Sequence, residues 1–95
     1  MSDSYILTVL KTDLQISVDS YDKYLKSLIG LAEAAIRREG IVLDDTNISH
    51  NMLIEMYAAY LYRKRREEQA SMPRSLRYAL NNELFAQKGR RESDG

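Results

Sequence analysis

At 95 residues, with 44% apolar content and 14 basic residues balanced by 14 acidic ones, the chain suits one compact domain that hides roughly 60 to 70% of its unfolded surface. The charge balance excludes a uniformly cationic body that coats nucleic acid, so any nucleic-acid contact has to be local. The absence of cysteine excludes disulfides, thiolate catalysis and sulfur-ligated metals, and the chain shows neither a bilayer-spanning apolar run nor a basic leader at Met1-Ser2-Asp3-Ser4.

One proline and four glycines point to helices joined by short turns, an all-α bundle of about four helices. The first predicted helix covers Tyr5 to Leu14, with Ile6, Val9, Leu10 and Leu14 near one face and Ser4 as its cap. Tyr5 to Leu10 also suits a short strand, and the helical spacing is preferred. Gln15 to Ser20 reads as a polar turn ending in the caps Asp19 and Ser20.

The second helix, from about Ser20 to Glu39, has the clearest amphipathic pattern. Tyr21, Tyr24, Leu25, Leu28, Ala32, Ala35 and Ile36 recur at three- and four-residue steps. Asp22 with Lys26 and Glu33 with Arg37 have the favourable acid-before-base order. Gly40 ends this helix. Ile41 to Asn47 is a connection whose Asp44, Asp45, Thr46 and Asn47 are turn and cap residues, with Ile41 and Leu43 folding back on the core.

A third helix, Ile48 to Glu68, is predicted to be central. Ile48, Met52, Leu53, Met56, Tyr57, Tyr60 and Leu61 form its apolar face, and Ala58, Ala59 and Tyr62 extend that character around the cylinder toward a second surface, read as a neighbouring subunit. It ends in four cations, Arg63, Lys64, Arg65 and Arg66, which complement the negative end of the helix dipole. Pro73 suits the first turn of a fourth helix. There Leu76, Leu80 and Leu84 stack, Ala79 broadens the stripe, and Tyr78 and Phe85 lie off it. Residues 1–87 are thus the helical domain, and the polar, glycine-punctuated segment 88–95 is a flexible tail.

Little in this sequence carries catalysis. His50 is the single histidine and lacks the partners of a metal or nucleophilic site, so it is read as structural or solvated. Asp44-Asp45 lacks the spaced oxygen ligands of a calcium loop, and no glycine-rich loop with its lysine is present to cradle nucleotide phosphates. The expectation is a non-enzyme without cofactor or metal, an interaction protein. Arg63 to Arg66 have two readings, a solvated or salt-bridged helix end beside Glu67 and Glu68, which leads, and contacts to phosphates or an acidic partner. Arg74 and Arg77, then Lys88, Arg90 and Arg91, extend that basic surface if the last two helices converge. Among the tyrosines, Tyr21, Tyr24, Tyr57 and Tyr60 have core spacing, whereas Tyr62 and Tyr78 are interface candidates.

The order of the pieces carries a resemblance. A short first helix is followed by Tyr24-Leu25-Lys26-Ser27-Leu28-Ile29-Gly30-Leu31-Ala32-Glu33-Ala34-Ala35-Ile36. Next come Met52-Leu53-Ile54-Glu55-Met56-Tyr57-Ala58-Ala59-Tyr60-Leu61-Tyr62-Arg63 and the Pro-led Met72-Pro73-Arg74-Ser75-Leu76-Arg77-Tyr78-Ala79-Leu80-Asn81-Asn82. Together they resemble the small head-tail connector proteins of tailed bacteriophages and prophages, a family associated with DNA packaging. Nearly the whole chain takes part, through apolar spacing, a tyrosine-arginine helix and a Pro-led helix, with no catalytic residue to carry over.

The resemblance implies a homo-oligomeric ring of about twelve subunits that docks beneath the portal protein after packaging, extends the channel for passing double-stranded DNA without sequence specificity, and offers a platform to a head-completion or tail protein. It implies assembly in the bacterial host cytoplasm and residence in the virion at the head-tail junction, with no membrane. A head-to-tail ring needs two different faces per subunit. The candidates are the Ala58, Ala59 and Tyr62 side of the third helix and the Tyr78 and Phe85 side of the fourth. Lys88, Arg90 and Arg91 are candidates for portal or subunit contact, with the tail either ordering on the portal or staying disordered. Arg63, Lys64, Arg65, Arg66, Arg74 and Arg77 are candidates for the DNA channel or an acidic partner. The alternatives are a small helical DNA-binding or terminase accessory module and a helical adaptor that forms no ring.

Overall fold

A computed structural model describes the backbone of residues 2–94 and the side chains of residues 4–90. Four helices account for the fold, α1 (Ser2–Leu14), α2 (Asp22–Arg38), α3 (Ile48–Arg66) and α4 (Arg74–Asp94), with a 3-10 turn over Asp19–Tyr21 leading into α2. No strand occurs among the described residues, so the Tyr5 to Leu10 run is helical. The body measures 48 × 32 × 17 Å, and its smallest dimension is close to two helix layers, at roughly 10 Å per helix.

Ile6 and Leu10 of α1 are fully buried. Ser4 lies inside the helix and does not cap it; its carbonyl accepts the Thr8 hydroxyl at 2.9 Å. The end of α1 is built by its backbone. Gln15 takes a left-handed φ of 59°, its N–H reaches the Thr12 carbonyl at 3.2 Å, and the Ile16 N–H reaches Lys11 at 2.9 Å. This is a Schellman closure with glutamine where glycine is the usual occupant. Lys11 then fixes the way into α2, bridging Asp19 at 3.0 Å and Asp22 at 2.7 Å, so Asp22 looks to α1 and not along its own helix to Lys26.

In α2, Leu25, Leu28, Ala32, Ala35 and Ile36 of the expected stripe are buried and Ile29 joins them, while Tyr24 is partly buried against the core. Glu33 and Arg37 approach to 4.0 Å as expected. Gly40, with φ 103°, ends α2 in a conformation that side-chain-bearing residues seldom adopt. Tyr21, expected in the core, is half exposed because the 3-10 turn holds it outside the stripe.

The central helix is α3, which packs against α1, α2 and α4. Its apolar character all the way round therefore has an internal explanation. Glu55 and Arg63 both face Asp13 of α1, and Ala59 lies between them, four positions from each, on the side that faces α1. Ala58 and Ala59 are 0% and 1% exposed, so they are covered within the chain and are not a surface for a neighbour. Ile48, also expected in the core, projects at the start of α3 with 69% of its surface exposed. The helix stops at Arg66, two residues before the expected end, because Glu67 is extended (φ −133°, ψ 109°).

Pro73 stands immediately before α4, its carbonyl accepting the Arg77 N–H at 3.1 Å. Leu76 and Leu80 are buried and Leu84 packs against the core, its Cδ2 3.5 Å from where a side chain on Gly40 would begin. Helical backbone continues through residues 88–94, and Lys88, Gly89 and Arg90 are exposed on it.

Candidate interaction surfaces

Among the described residues three exposed surfaces stand out once the four helices have closed on one another. The first is the C-terminal end of α3, where cations and tyrosines interleave at four-residue spacing. Lys64 lies 5.6 Å from the Tyr60 ring centre and Arg66 lies 5.5 Å from that of Tyr62. Each also donates to its tyrosine hydroxyl at 3.3 Å. Arg65 reaches across to the Tyr24 ring of α2 at 6.0 Å, and Tyr24 in turn meets Tyr62 at 6.5 Å. Arg63 approaches Asp13 at 3.9 Å. An aromatic face orients a cation without cancelling its charge, so this end remains electropositive although its side chains are held in place.

Beside it, α2 and α3 leave an open apolar groove of about 370 Å³ whose walls include Leu28, Leu31, Ala34 and Leu61, with Arg38, Lys64 and Arg65 on its rim. Leu31 is 50% exposed there. It falls on the outward side of the α2 stripe, and sequence spacing alone did not single it out.

The second surface is the α2–α3 connection, which is unusually well tied down for a loop. The Gln87 side chain accepts the Val42 N–H at 2.9 Å and donates to the Val42 carbonyl at 2.8 Å. His50 Nδ1 accepts the Asp44 N–H at 3.0 Å, so by the donor and acceptor pattern its proton sits on Nε2 and is donated to Glu83, 2.9 Å away. Burial raises the Glu83 pKa, but hydrogen bonds from His50 and Gln87 and the nearby Arg90 charge outweigh it and hold the carboxyl below its usual range.

Asn51 donates to the Asp45 carbonyl at 3.2 Å, and Asn47 caps α3 by accepting the His50 N–H at 3.1 Å. Asp44 is held ionised by the Thr46 hydroxyl and N–H, at 2.7 and 2.9 Å. Val42 nonetheless stands 68% exposed at the front of this frame. His50 is thus a structural hub, in agreement with its sequence reading, and Gln87 is a clamp that sequence reasoning missed. The available signal was its three-residue step from Leu84, which continues the inward stripe of α4.

The third surface is the outer face of α4, where Tyr78 and Phe85 are exposed, Phe85 at 74%. They lie seven positions apart and share a side of the helix. Lys88 lines a shallow depression with Asn81, Leu84 and Phe85. Tyr62, the remaining interface candidate of α3, is half buried against Tyr24.

The cationic candidates do not merge into one basic face. Arg77 is engaged by Glu39 at the end of α2, and Arg74 is exposed one turn earlier. Arg90 sits 3.4 Å from Glu83, which holds His50 in the first turn of α3. Arg63 lies on the same helix roughly 20 Å farther along, at about 1.5 Å per residue. Lys88 and Arg90 are therefore at the other end of α3 from Arg63, Lys64, Arg65 and Arg66. The side chain of Arg91 lies outside the described residues.

One buried group is electrostatically strained. Glu55 is 4% exposed, its Oε2 has no hydrogen-bond partner among the described residues, and burial and the adjacent Asp13 carboxyl push its pKa up to about 7 against the opposing pull of Arg63. Among the described residues no group of three histidine, cysteine or acidic side chains is placed to hold a metal ion, and no helix is long and apolar enough to cross a membrane.

Compared with known protein families, residues 6–88 match the one described as phage gp6-like head-tail connector protein. No curated protein and no solved structure matches the chain.

Proposed function

The chain belongs to the phage gp6-like head-tail connector family, and from this premise we propose that it acts as a closed ring seated beneath the portal protein, extending the DNA channel and completing the head for the next head-completion or tail component. The connector role itself is structural. The observation that carries the reading is the extent of the family match, which begins at the first buried residue of α1 and runs past the Gln87 clamp of α4, so all three exposed surfaces belong to the matched region.

Physical features of the surface support the finer proposal. A closed head-to-tail cycle pairs one patch with a different one, and the subunit offers an apolar groove on one side and exposed apolar side chains on the α2–α3 loop and α4 elsewhere. Formal neutrality favours passage of DNA over a tight grip, since each phosphate neutralised by a cation adds salt-dependent affinity. In this reading Arg63 to Arg66 line the passage weakly or meet the portal, and Tyr78, Phe85, Lys88 and Arg90 of α4 face portal or tail proteins. Assembly takes place in the host cytoplasm, and the finished ring stays in the virion at the head-tail junction.

The test is co-purification with the portal protein of the same phage, with light scattering across a concentration series. Several copies per portal assembly are expected, whether or not rings form alone. A chain that remains monomeric at every concentration and never co-elutes with portal would contradict the proposal. If it instead binds duplex DNA as a monomer, with affinity that falls steeply with salt and is lost on neutralising Arg63, Lys64, Arg65 and Arg66, it is a DNA-binding module.

A further inference from the structure

We propose that the contact between neighbouring copies is made by the α2–α3 loop of one subunit entering the α2/α3 groove of the next, with Val42 and Ile48 against Leu31 and Leu61 and the carboxylates of Asp44 and Asp45 facing Arg38, Lys64 and Arg65. This inference rests on the ring reading above and adds to it the identity of the two faces.

Three observations carry the assignment. The groove is apolar in its walls and cationic on its rim, so its occupant has to be apolar with acidic flanks. Within this chain the α2–α3 loop together with the first residue of α3 has that chemistry: Val42 and Ile48 are 68% and 69% exposed, and Asp44 and Asp45 lie exposed between them. The apolar stripe of Tyr78 and Phe85 on α4 is instead flanked by exposed Arg74 and Lys88 and would set cations against cations, which costs association free energy.

Rigidity adds to the case. The loop is already fixed by Gln87 on Val42, His50 on Asp44 and Asn51 on Asp45, so docking orders little that is not ordered beforehand, and preorganisation lowers the entropic cost of association. The two faces also occupy different parts of the subunit. The loop precedes α3, and the groove runs from Arg38 at the end of α2 to Leu61, Lys64 and Arg65 near the far end of α3, so the Leu61 to Arg65 part is roughly 20 Å from the loop along the helix. Such a contact is heterologous and propagates head to tail until the rotation closes.

Because the chain has no native cysteine, a linking experiment on the full-length protein reads this contact directly. A V42C copy and an L31C copy are mixed with a short bis-maleimide, while native mass spectrometry follows assembly with and without portal. A covalent dimer is expected in the mixture and in neither variant alone, with a ladder of multimers from the V42C/L31C double variant.

Assemblies of high native mass with no Val42 to Leu31 link would overturn the docking inference and leave the ring standing. Monomers throughout would overturn the ring reading and this inference with it. Both sites are exposed, and unchanged circular dichroism verifies folding. In a second arm, D45K is expected to weaken association at least ~tenfold, and K64E in the same chain to restore it. A D45K chain that assembles as well as wild type would count against the inference.

Discussion

Replacing Glu55 by glutamine should stabilise the protein, and by an amount that depends on pH. Glu55 is buried between α3 and α1 beside Asp13, and its pKa is pushed up to about 7 from the ordinary 4.5. Each unit is worth about 1.36 kcal/mol of differential interaction, so the ionised side chain costs the folded state about 3 kcal/mol. The sign follows from proton binding.

Below the ordinary carboxyl pKa, Glu55 is protonated in both folded and unfolded chains, and no cost arises. Between that value and about 7 the folded chain holds the proton more tightly than the unfolded one, so stability falls as pH rises. Above about 7 the folded form is ionised too and the full cost is present. E55Q keeps the shape and removes the titration. It should match wild type near pH 4 and exceed it by about 3 kcal/mol near pH 8. Urea unfolding followed by circular dichroism, repeated across that range, reads the difference as a shift in midpoint at constant slope. A difference that does not change with pH, or an E55Q protein less stable than wild type near pH 8, would refute the reasoning.

Three further outcomes are expected. Q15G should stabilise the chain by about 0.5 to 1 kcal/mol, since Gln15 occupies a left-handed conformation that glycine adopts freely; the gain is net of the added freedom of the unfolded chain, and thermal melting checks it. Q87A should cost about 1 to 3 kcal/mol by leaving the Val42 N–H and carbonyl without their partner, and hydrogen exchange should show the Val42 amide losing protection before the core of α3 does. A59L should cost about 1 to 3 kcal/mol through overpacking between α1 and α3, whereas a wild-type melting temperature with altered assembly would mean that Ala59 faces a neighbour.

The four helices and the α2 stripe were legible in the sequence because apolar spacing records which side of a helix is covered. It does not record what covers it. The alanine side of α3 was assigned to another subunit, yet Ala58 and Ala59 are buried within the same chain. Ile48 shows the converse: its phase is right for the core, but it stands at the start of α3 where the chain leaves it exposed.

Arg77 and Gln87 belong to contacts with Glu39 and Val42 across 38 and 45 residues, which no local pattern contains. The α3 cations were legible as a helix end, and the four-residue step from Tyr60 to Lys64 and from Tyr62 to Arg66 was already on view. Their orientation by tyrosine rings needed the fold. Tyr78 and Phe85 were read correctly as exposed, because they lie off a short and well-defined leucine stripe.

A head-to-tail ring on the portal is best read by electron microscopy of the chain bound to its portal, with native mass spectrometry of the same sample. A closed annulus of density beneath the portal is expected, contributing a whole-number multiple of the 11.0 kDa chain mass. A single copy attached off the portal axis, or bare portal beside free monomer, would contradict it.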